Sequence, residues 1–187
     1  MANTATNVTT GKPNTAGAVF RAPSGASLPT DYSSSLDAAF VCLGYVSEDG
    51  LTNSNSPESD SIKAWGGDTV LTYQSSKDDT FKFTLIEALN ANVLKAVYGD
   101  DNVEGDLSTG ITVKANSNEQ AECSWVFDLF TRGNTLKRIV VPSAAVTEVG
   151  DITYADEDCV GYETTITAIP DSDGQTHYEY IGPKASE

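Results

Sequence analysis

The chain has 187 residues, of which 27 are acidic and 11 basic, and its net charge is −16 at pH 7. A chain of this length buries about 70% of the surface that its unfolded form exposes, which suits one domain with a substantial core. The first 35 residues carry +1 and the remainder −17. We expect so acidic a body to repel nucleic acid and anionic membranes, which excludes ordinary nucleic-acid-binding and membrane-surface proteins.

The N-terminal third combines a polar arm with short strand signals. Residues 1–35 are rich in Thr, Asn, Ser, Gly and Pro and are interpreted as an extended arm. Residues 38–47 are predicted to form a buried strand that ends in a turn at 48–50, followed by a long polar loop over 51–61. Segments 62–65 and 69–73 then flank Gly-Gly-Asp as a short hairpin.

The hydrophobic period changes in the middle of the chain. Phe81, Phe83 and Leu85 alternate with polar residues, which is strand spacing. Apolar residues then recur at helical steps, at Ile86, Leu89, Val93 and Val97. Acidic Glu87, basic Lys95 and the stop at Gly99 agree with this pattern, so a helix is predicted over residues 86–98.

The C-terminal half shows alternating strands with one polar face each. These polar faces carry Glu122, Ser124 and Asp128 in one strand and Glu163, Thr165 and Thr167 in another. In total, eight to ten strands and one helix predict a mainly β fold, an antiparallel sandwich or split barrel with the helix packed against it. The predicted domain division is an arm of residues 1–35, one β-rich domain of 36–182 and a short tail of 183–187.

Motifs for catalysis, cofactors and membranes are not apparent in the sequence. His177 is the single histidine, and no nucleophile elbow, phosphate loop or dinucleotide fingerprint is present, so neither an enzyme nor a cofactor is expected. Asp100, Asn102 and Glu104 match part of a calcium loop, but Ile111 stands where the loop requires Glu. A calcium site therefore stays a weak alternative.

The cysteines and the N-terminus indicate the compartment in which the chain is synthesised. Cys42, Cys123 and Cys159 are an odd number without paired spacing, which indicates free thiols in a reducing compartment. No segment approaches the roughly 20 apolar residues of a membrane span, and the N-terminus resembles no leader peptide. We expect a soluble chain that is synthesised in the cytoplasm and has no membrane partner.

Five segments occur in an order and spacing that resemble the major tail tube protein of long, non-contractile-tailed bacteriophages. They are 19–30 (VFRAPSGASLPT), 43–50 (LGYVSEDG), 62–66 (IKAWG), 83–90 (FTLIEALN) and 97–101 (VYGDD). The resemblance covers residues 18 to about 103 well and the rest by class. It implies a β-sandwich or split barrel with one flanking helix that assembles into hexameric rings, which stack into a hollow virion tail tube.

The resemblance also implies binding partners, a lumen lining and contact surfaces between subunits. The partners would be other copies of the chain, the tape measure, tail-tip and terminator proteins, and double-stranded DNA in transient, non-specific passage through the bore. An acidic or neutral wall holds DNA weakly, so the polar strand faces named above are the candidate lumen lining. The candidate contacts between subunits or rings lie in the arm and the following loop, at Val19, Phe20, Arg21, Leu28, Glu48, Asp49 and Leu51. Deletion of residues 1–30 is expected to leave a folded monomer that polymerises poorly.

A non-catalytic immunoglobulin-like adhesion or surface-display domain is the alternative. It would share the many strands and the acidic surface. The helix and the apparent lack of a secretion signal argue against it.

Overall fold

Antiparallel β structure dominates the computed structural model, which describes residues 3–133 and 135–184. In chain order the elements are β1 (Lys12–Pro13), β2 (Val19–Pro23), β3 (Val41–Cys42), β4 (Val46–Lys63), β5 (Thr69–Leu85), α1 (Ala91–Tyr98), β6 (Val103–Asp106), β7 (Gly110–Val113), β8 (Cys123–Thr131), β9 (Thr135–Val149), β10 (Tyr162–Ile169) and β11 (Tyr178–Pro183). Within the described residues α1 is the single α-helix. The predicted mainly β class with one helix is confirmed.

Nine strands form one sheet in the order β3-β2-β8-β9-β10-β5-β4, with β1 also paired to β8 and β11 to β9. Strand β9 joins two halves of this sheet, because residues 135–140 pair with β11 and residues 143–149 pair with β10. We call β4, β5, β10 and residues 143–149 of β9 the front half. The rear half contains β1, β2, β3, β8, β11 and the first part of β9.

The main core lies between the two halves. Phe81 of β5 stacks on Phe127 of β8 with ring centroids 5.5 Å apart, and Phe83 lies 5.7 Å from Trp125. Two strands separate β5 from β8 in the sheet order, so these contacts require the sheet to fold over on itself. The predicted sandwich is therefore confirmed.

A second, smaller core lies on the outer side of the rear half. Val126 and Val140 point away from the main core and are buried by Phe40 and Leu28. Both of these residues belong to residues 24–40, which we call the cover segment. The rear half thus has both faces covered, whereas the front half has one.

Helix α1 begins later than the period predicts. The side chain of Asn90 accepts a hydrogen bond from the Asn92 backbone N–H at 3.0 Å, which caps the helix at Ala91. The predicted start at Ile86 is wrong, and Leu89 is 67% exposed because it precedes the helix. The predicted end is confirmed, since Gly99 adopts a positive φ of 97°.

The segment predicted as turn, loop and short hairpin is one long hairpin. Residues 47–50 form a bulge between Val46 and Leu51 in β4, and the ladder then continues to the tip. The predicted loop over 51–61 is wrong because alternating polarity marks a strand only where one face is buried, and neither face is covered here. The turn around Gly66 and Gly67 is confirmed, with the Ala64 backbone N–H donating to Asp68 at 2.7 Å.

Residues predicted as an arm contribute to the sheet. Strand β2 pairs with β8 along its whole length and with β3 on its other side. Val19 and Ala22 are 2% and 1% exposed. Residues 19–23 are therefore part of the folded body, and a division at residue 35 does not describe them.

Candidate functional site

The outer face of the front half is a polar surface that the rest of the described chain leaves open. Inward Phe81, Phe83 and Ile166 alternate with outward polar residues along β5 and β10. The register sets Lys82 opposite Thr165 and Thr80 opposite Thr167 on the outward side. We call this surface the polar sheet face; its members are Thr80, Lys82, Thr84, Thr147, Glu148, Glu163, Thr165 and Thr167.

Side chains on the polar sheet face bond to one another across the strands. The Lys82 ammonium lies 2.8 Å from the Glu163 carboxylate, and the hydroxyls of Thr147 and Thr167 lie 2.9 Å apart. The hydrogen bond to Glu163 raises the pKa of Lys82. These bonds fix the face in place and leave it hydroxyl-rich.

The face is mildly acidic. Glu122 lies at its edge, where the Ser143 hydroxyl donates to the Glu122 carboxylate at 2.8 Å. With Glu148 and Glu163, the face and its edge therefore carry three carboxylates and one ammonium, that of Lys82. Of the six predicted lining residues, Glu122, Glu163, Thr165 and Thr167 therefore belong to one surface.

Ser124 and Asp128 lie elsewhere, in the buried interior. Ser124 is 1% exposed and donates to the Pro142 carbonyl, while Asp128 is 9% exposed and receives two hydrogen bonds from Arg138. Arg138 also donates to the Ser34 carbonyl at 2.8 Å, so the cover segment closes this side of β8. Buried side chains cannot line an open bore, which removes both residues from the candidate lining.

The candidate contact residues of the N-terminal segment make contacts within the subunit, where Val19 and Arg21 are buried and Phe20 and Leu28 are half-buried. Val19 and Phe20 pack in the main and the smaller core, and Leu28 packs in the smaller core. Arg21 is 6% exposed and makes a bidentate pair with Asp100 at 3.1 and 2.6 Å. Burial lowers the pKa of Arg21, but Asp100 and Cys123 more than offset this, and the pKa is raised.

The other candidate contact residues lie at the root of the long hairpin. Glu48 and Asp49 are exposed in the bulge, and Leu51 is half-buried against the main core. This root connects the folded body to a ribbon whose residues 52–75 are all exposed. A two-stranded ribbon without a core is marginally stable alone, so it is suited to contact with another surface.

The hairpin root contains a polar cluster that the sequence gives no sign of. Asp79 is 1% exposed and accepts hydrogen bonds from Asn53 of β4, Thr176 and His177. Burial would raise the pKa of Asp79, but these hydrogen bonds lower it below its ordinary value. The carboxylate therefore ties both hairpin strands to the segment before β11.

The partial calcium motif is engaged in other contacts. The Asp100 carboxylate faces Arg21, the Glu104 carboxylate lies 2.7 Å from Lys114, and the Asn102 amide donates to the Tyr98 carbonyl. These groups point to different partners, and no metal-binding cluster of three acidic, His or Cys side chains occurs among the described residues.

The exposed area of the chain is large. It exposes 11870 Å², compared with about 8,600 Å² for a compact monomer of its mass. Residues 52–75 of the hairpin are all exposed, and its tip presents Trp65 at 106% of its reference exposure. Over residues 3–133 and 135–184, we find no helix with the length and hydrophobicity of a membrane span.

The chain is a mainly β protein with a covered rear half, an open polar front half and a projecting ribbon, features that suit assembly with other subunits. A family model described as "Phage tail tube protein" matches residues 1–187, the whole chain. The chain therefore belongs to the phage tail tube protein family, as the sequence resemblance predicts. No curated protein matches it. It is a structural protein of the bacteriophage virion tail.

Proposed function

We propose that this chain polymerises as stacked hexameric rings whose bore is lined by the polar sheet face and conducts genome DNA into the host cell. The observation that carries the proposal is the asymmetry of the two halves. The rear half is buried beneath the cover segment, while the front half leaves a continuous polar face open.

Free strand edges support closure of the ring. Strand β4 ends the sheet order on one side of the front half. On the other side, β8 pairs with β9 only as far as Ala144, which leaves residues 145–149 without a partner on that edge among the described strands. Pairing of β4 with this part of β9 in the next subunit would join the front halves into a closed barrel without exposed edges.

The charge of the polar sheet face suits passage of DNA. Duplex DNA carries one negative charge per roughly 1.7 Å of its axis, and cationic side chains would hold it by releasing counterions. The single ammonium of this face, Lys82, is paired with Glu163, and Glu122 and Glu148 add negative charge. The wall would therefore repel DNA weakly and let it slide.

Assembly within the virion supplies the remaining partners. Both ends of a finite tube need other tail proteins, and we propose tape measure, tail-tip and terminator proteins for these roles. Synthesis in the host cytoplasm fits three free cysteines.

Site-specific labelling tests the orientation of the polar sheet face. In a Cys159→Ser background, Thr165→Cys introduces a thiol on that face, and Ser27→Cys introduces a matched thiol on the exposed cover segment. The reagent is a maleimide attached to a particle too wide to enter a bore. In tubes verified by negative-stain microscopy, we expect Ser27→Cys to react and Thr165→Cys to be protected.

Two results would contradict the proposal. Equal labelling of both thiols in tubes would place the polar sheet face on the outside. A wild-type chain that stays monomeric at high concentration would remove ring stacking altogether.

A further inference from the structure

A small cavity of about 220 Å³ lies between β2, the start of β3 and helix α1. Its polar lining consists of Arg21 on β2, Asn92 and Lys95 on α1, and Asp100 just after the helix. We call it the α1 cavity. None of these residues belongs to the polar sheet face, so the proposed bore makes no use of the cavity.

The guanidinium of Arg21 has hydrogen-bonding capacity that the described chain does not fill. Arg21 is 6% exposed. Two of its N–H groups donate to the Asp100 carboxylate at 3.1 and 2.6 Å, and Nε donates to Sγ of Cys123 at 3.2 Å. A guanidinium has five N–H donors, so two of them have no partner among the described residues. These two donors are available to a ligand in the cavity.

The second cation of the α1 cavity is also unpaired. Lys95 is half-buried, and its ammonium makes no ion pair with any residue that the structure describes. Asp100 is the one acidic residue in the lining, and its carboxylate is already paired with Arg21. Two cations and one carboxylate give the lining a net charge of +1, in a chain whose net charge is −16.

A guanidinium and an ammonium in one recess form a donor set that suits a phosphate group. Arginine presents N–H donors in a planar fork to phosphate oxygens, and lysine adds a compact positive charge. The Asp100 carboxylate holds the Arg21 side chain in place, so the remaining donors are positioned before a ligand arrives. The cavity is smaller than the roughly 300–1,000 Å³ of pockets for drug-sized ligands, which favours a single small ion.

We propose that the α1 cavity binds one small oxyanion of the phosphate class, held by Arg21 and Lys95. The bound ion joins β2 of the rear half to α1, so it stabilises the folded subunit. A phosphate group of duplex DNA has the same chemistry, but the net negative charge of the subunit repels such a polyanion. The free ion is therefore the ligand that we assign.

Thermal unfolding of the full chain in inorganic phosphate tests the site. Phosphate also stabilises proteins without binding, through exclusion from their surface, so the titration replaces chloride at constant ionic strength and looks for saturation. We expect Tm to rise by about 3–6 °C at a phosphate concentration ten times Kd and then to level off as ln[phosphate] predicts for one site. Isothermal titration calorimetry should give one phosphate per chain and no binding of short duplex DNA.

Substitutions on α1 test the donor set. We expect Lys95→Gln and Asn92→Asp each to raise the Kd for phosphate more than tenfold, because hydrogen bonds to charged groups are lost or a like charge is added. An acidic residue in the first turn favours the helix, so loss of binding in Asn92→Asp cannot be explained by a weaker fold. Lys114→Gln removes an exposed lysine outside the cavity and should leave the Kd unchanged.

A steric block tests the location without changing any charge. Ala39 is exposed and lines the cavity, whereas its exposed neighbour Ala38 does not. We expect Ala39→Phe to abolish phosphate binding and the matched Ala38→Phe to retain it.

Three results would overturn the proposal. They are the absence of saturable phosphate binding by the wild-type chain, equal binding by the wild type and the cavity variants, and duplex DNA that competes with phosphate at Lys95. All of these measurements use the unpolymerised protein. Failure of this site is therefore distinguishable from failure of the chain to form tubes.

Discussion

The carboxylate of Asp79 and the imidazole of His177 meet at 2.5 Å across the root of the long hairpin. The lowered pKa of Asp79 keeps it ionised at neutral pH, and an ionised carboxylate only accepts hydrogen bonds, so Nδ1 of His177 is the donor. His177 also packs edge-on against Phe81, with centroids 5.3 Å apart. This contact fixes the ribbon to the body where the core ends.

Loss of the Asp79 carboxylate should weaken this connection. We expect Asp79→Asn to lower the free energy of unfolding by about 1–3 kcal/mol, because partners of a buried acceptor lose their bonds. Chemical denaturation at pH 7 measures the change. Asp78→Asn, at the exposed neighbouring position, is the matched control and should have little effect.

Protonation of the Asp79 carboxylate should make the stability of the fold depend on pH. The pKa of Asp79 is lowered in the folded chain, so its contribution to stability is complete above the unfolded value of about 3.9 and is lost as the pH falls through the lower folded value. Unfolding curves below pH 4 should therefore show a smaller loss in Asp79→Asn than in the wild-type chain. Parallel curves for both proteins would contradict this role.

The buried pair of Asp128 and Arg138 should be costly to break. Arg138 donates to Asp128 at 2.7 and 2.8 Å and holds the cover segment through the Ser34 carbonyl. We expect Asp128→Leu to destabilise the fold by about 3–5 kcal/mol, because it leaves a buried guanidinium without its counter-charge. Faster hydrogen exchange in residues 24–40 would locate the effect. Glu163→Gln, which breaks an exposed pair, is the control and should leave exchange there unchanged.

Two N-terminal deletions of different length should have different effects on the fold. The sequence predicts a folded monomer after deletion of residues 1–30. The structure argues against this prediction, because the deletion removes β2 from the sheet. We expect this variant to lose its near-ultraviolet circular dichroism. Deletion of residues 1–10 spares every strand and should leave the spectrum intact. A native spectrum for the longer deletion would show that β2 is dispensable.

Reversing charge on the polar sheet face should increase the retention of DNA by tubes and leave the fold intact. In Glu148→Lys with Glu163→Lys, two exposed or half-buried carboxylates become cations on an open face. We expect tubes of this variant to retain short duplex DNA at low salt and to release it as salt rises. Wild-type tubes should retain none. Equal DNA retention by both would argue against the face lining the bore.

Features in which one side of a strand or helix is buried could be predicted from the sequence. The alternation of β10 predicts its two faces correctly, since Tyr162 and Ile166 are buried and Thr165 and Thr167 are not. The end of α1 is also predicted correctly, because a glycine stop is a local signal. The start of α1 is not predicted correctly. Ile86 and Leu89 happen to continue the helical spacing toward the N-terminus, but Asn90 caps the helix after them.

Features that depend on distant covering segments were not predictable. Ser124 and Asp128 look like a solvent face along β8. Only the folded chain shows that Ser124 is buried with its hydroxyl on the Pro142 carbonyl, and that the cover segment contacts Arg138, the partner of Asp128. The length of the hairpin was missed for the opposite reason, although its tip was predicted. Residues 52–61 have no covered face and carry no alternating pattern, and their ladder with β5 is held by backbone bonds that any polar sequence can make.

A cryo-electron microscopy map of tubes assembled from the purified chain would show which face of the subunit lines the bore. We expect stacked rings with Lys82, Glu163 and Thr165 facing an open bore and the cover segment on the outer wall. A map with the polar sheet face on the outer wall, or with the cover segment lining the bore, would contradict it.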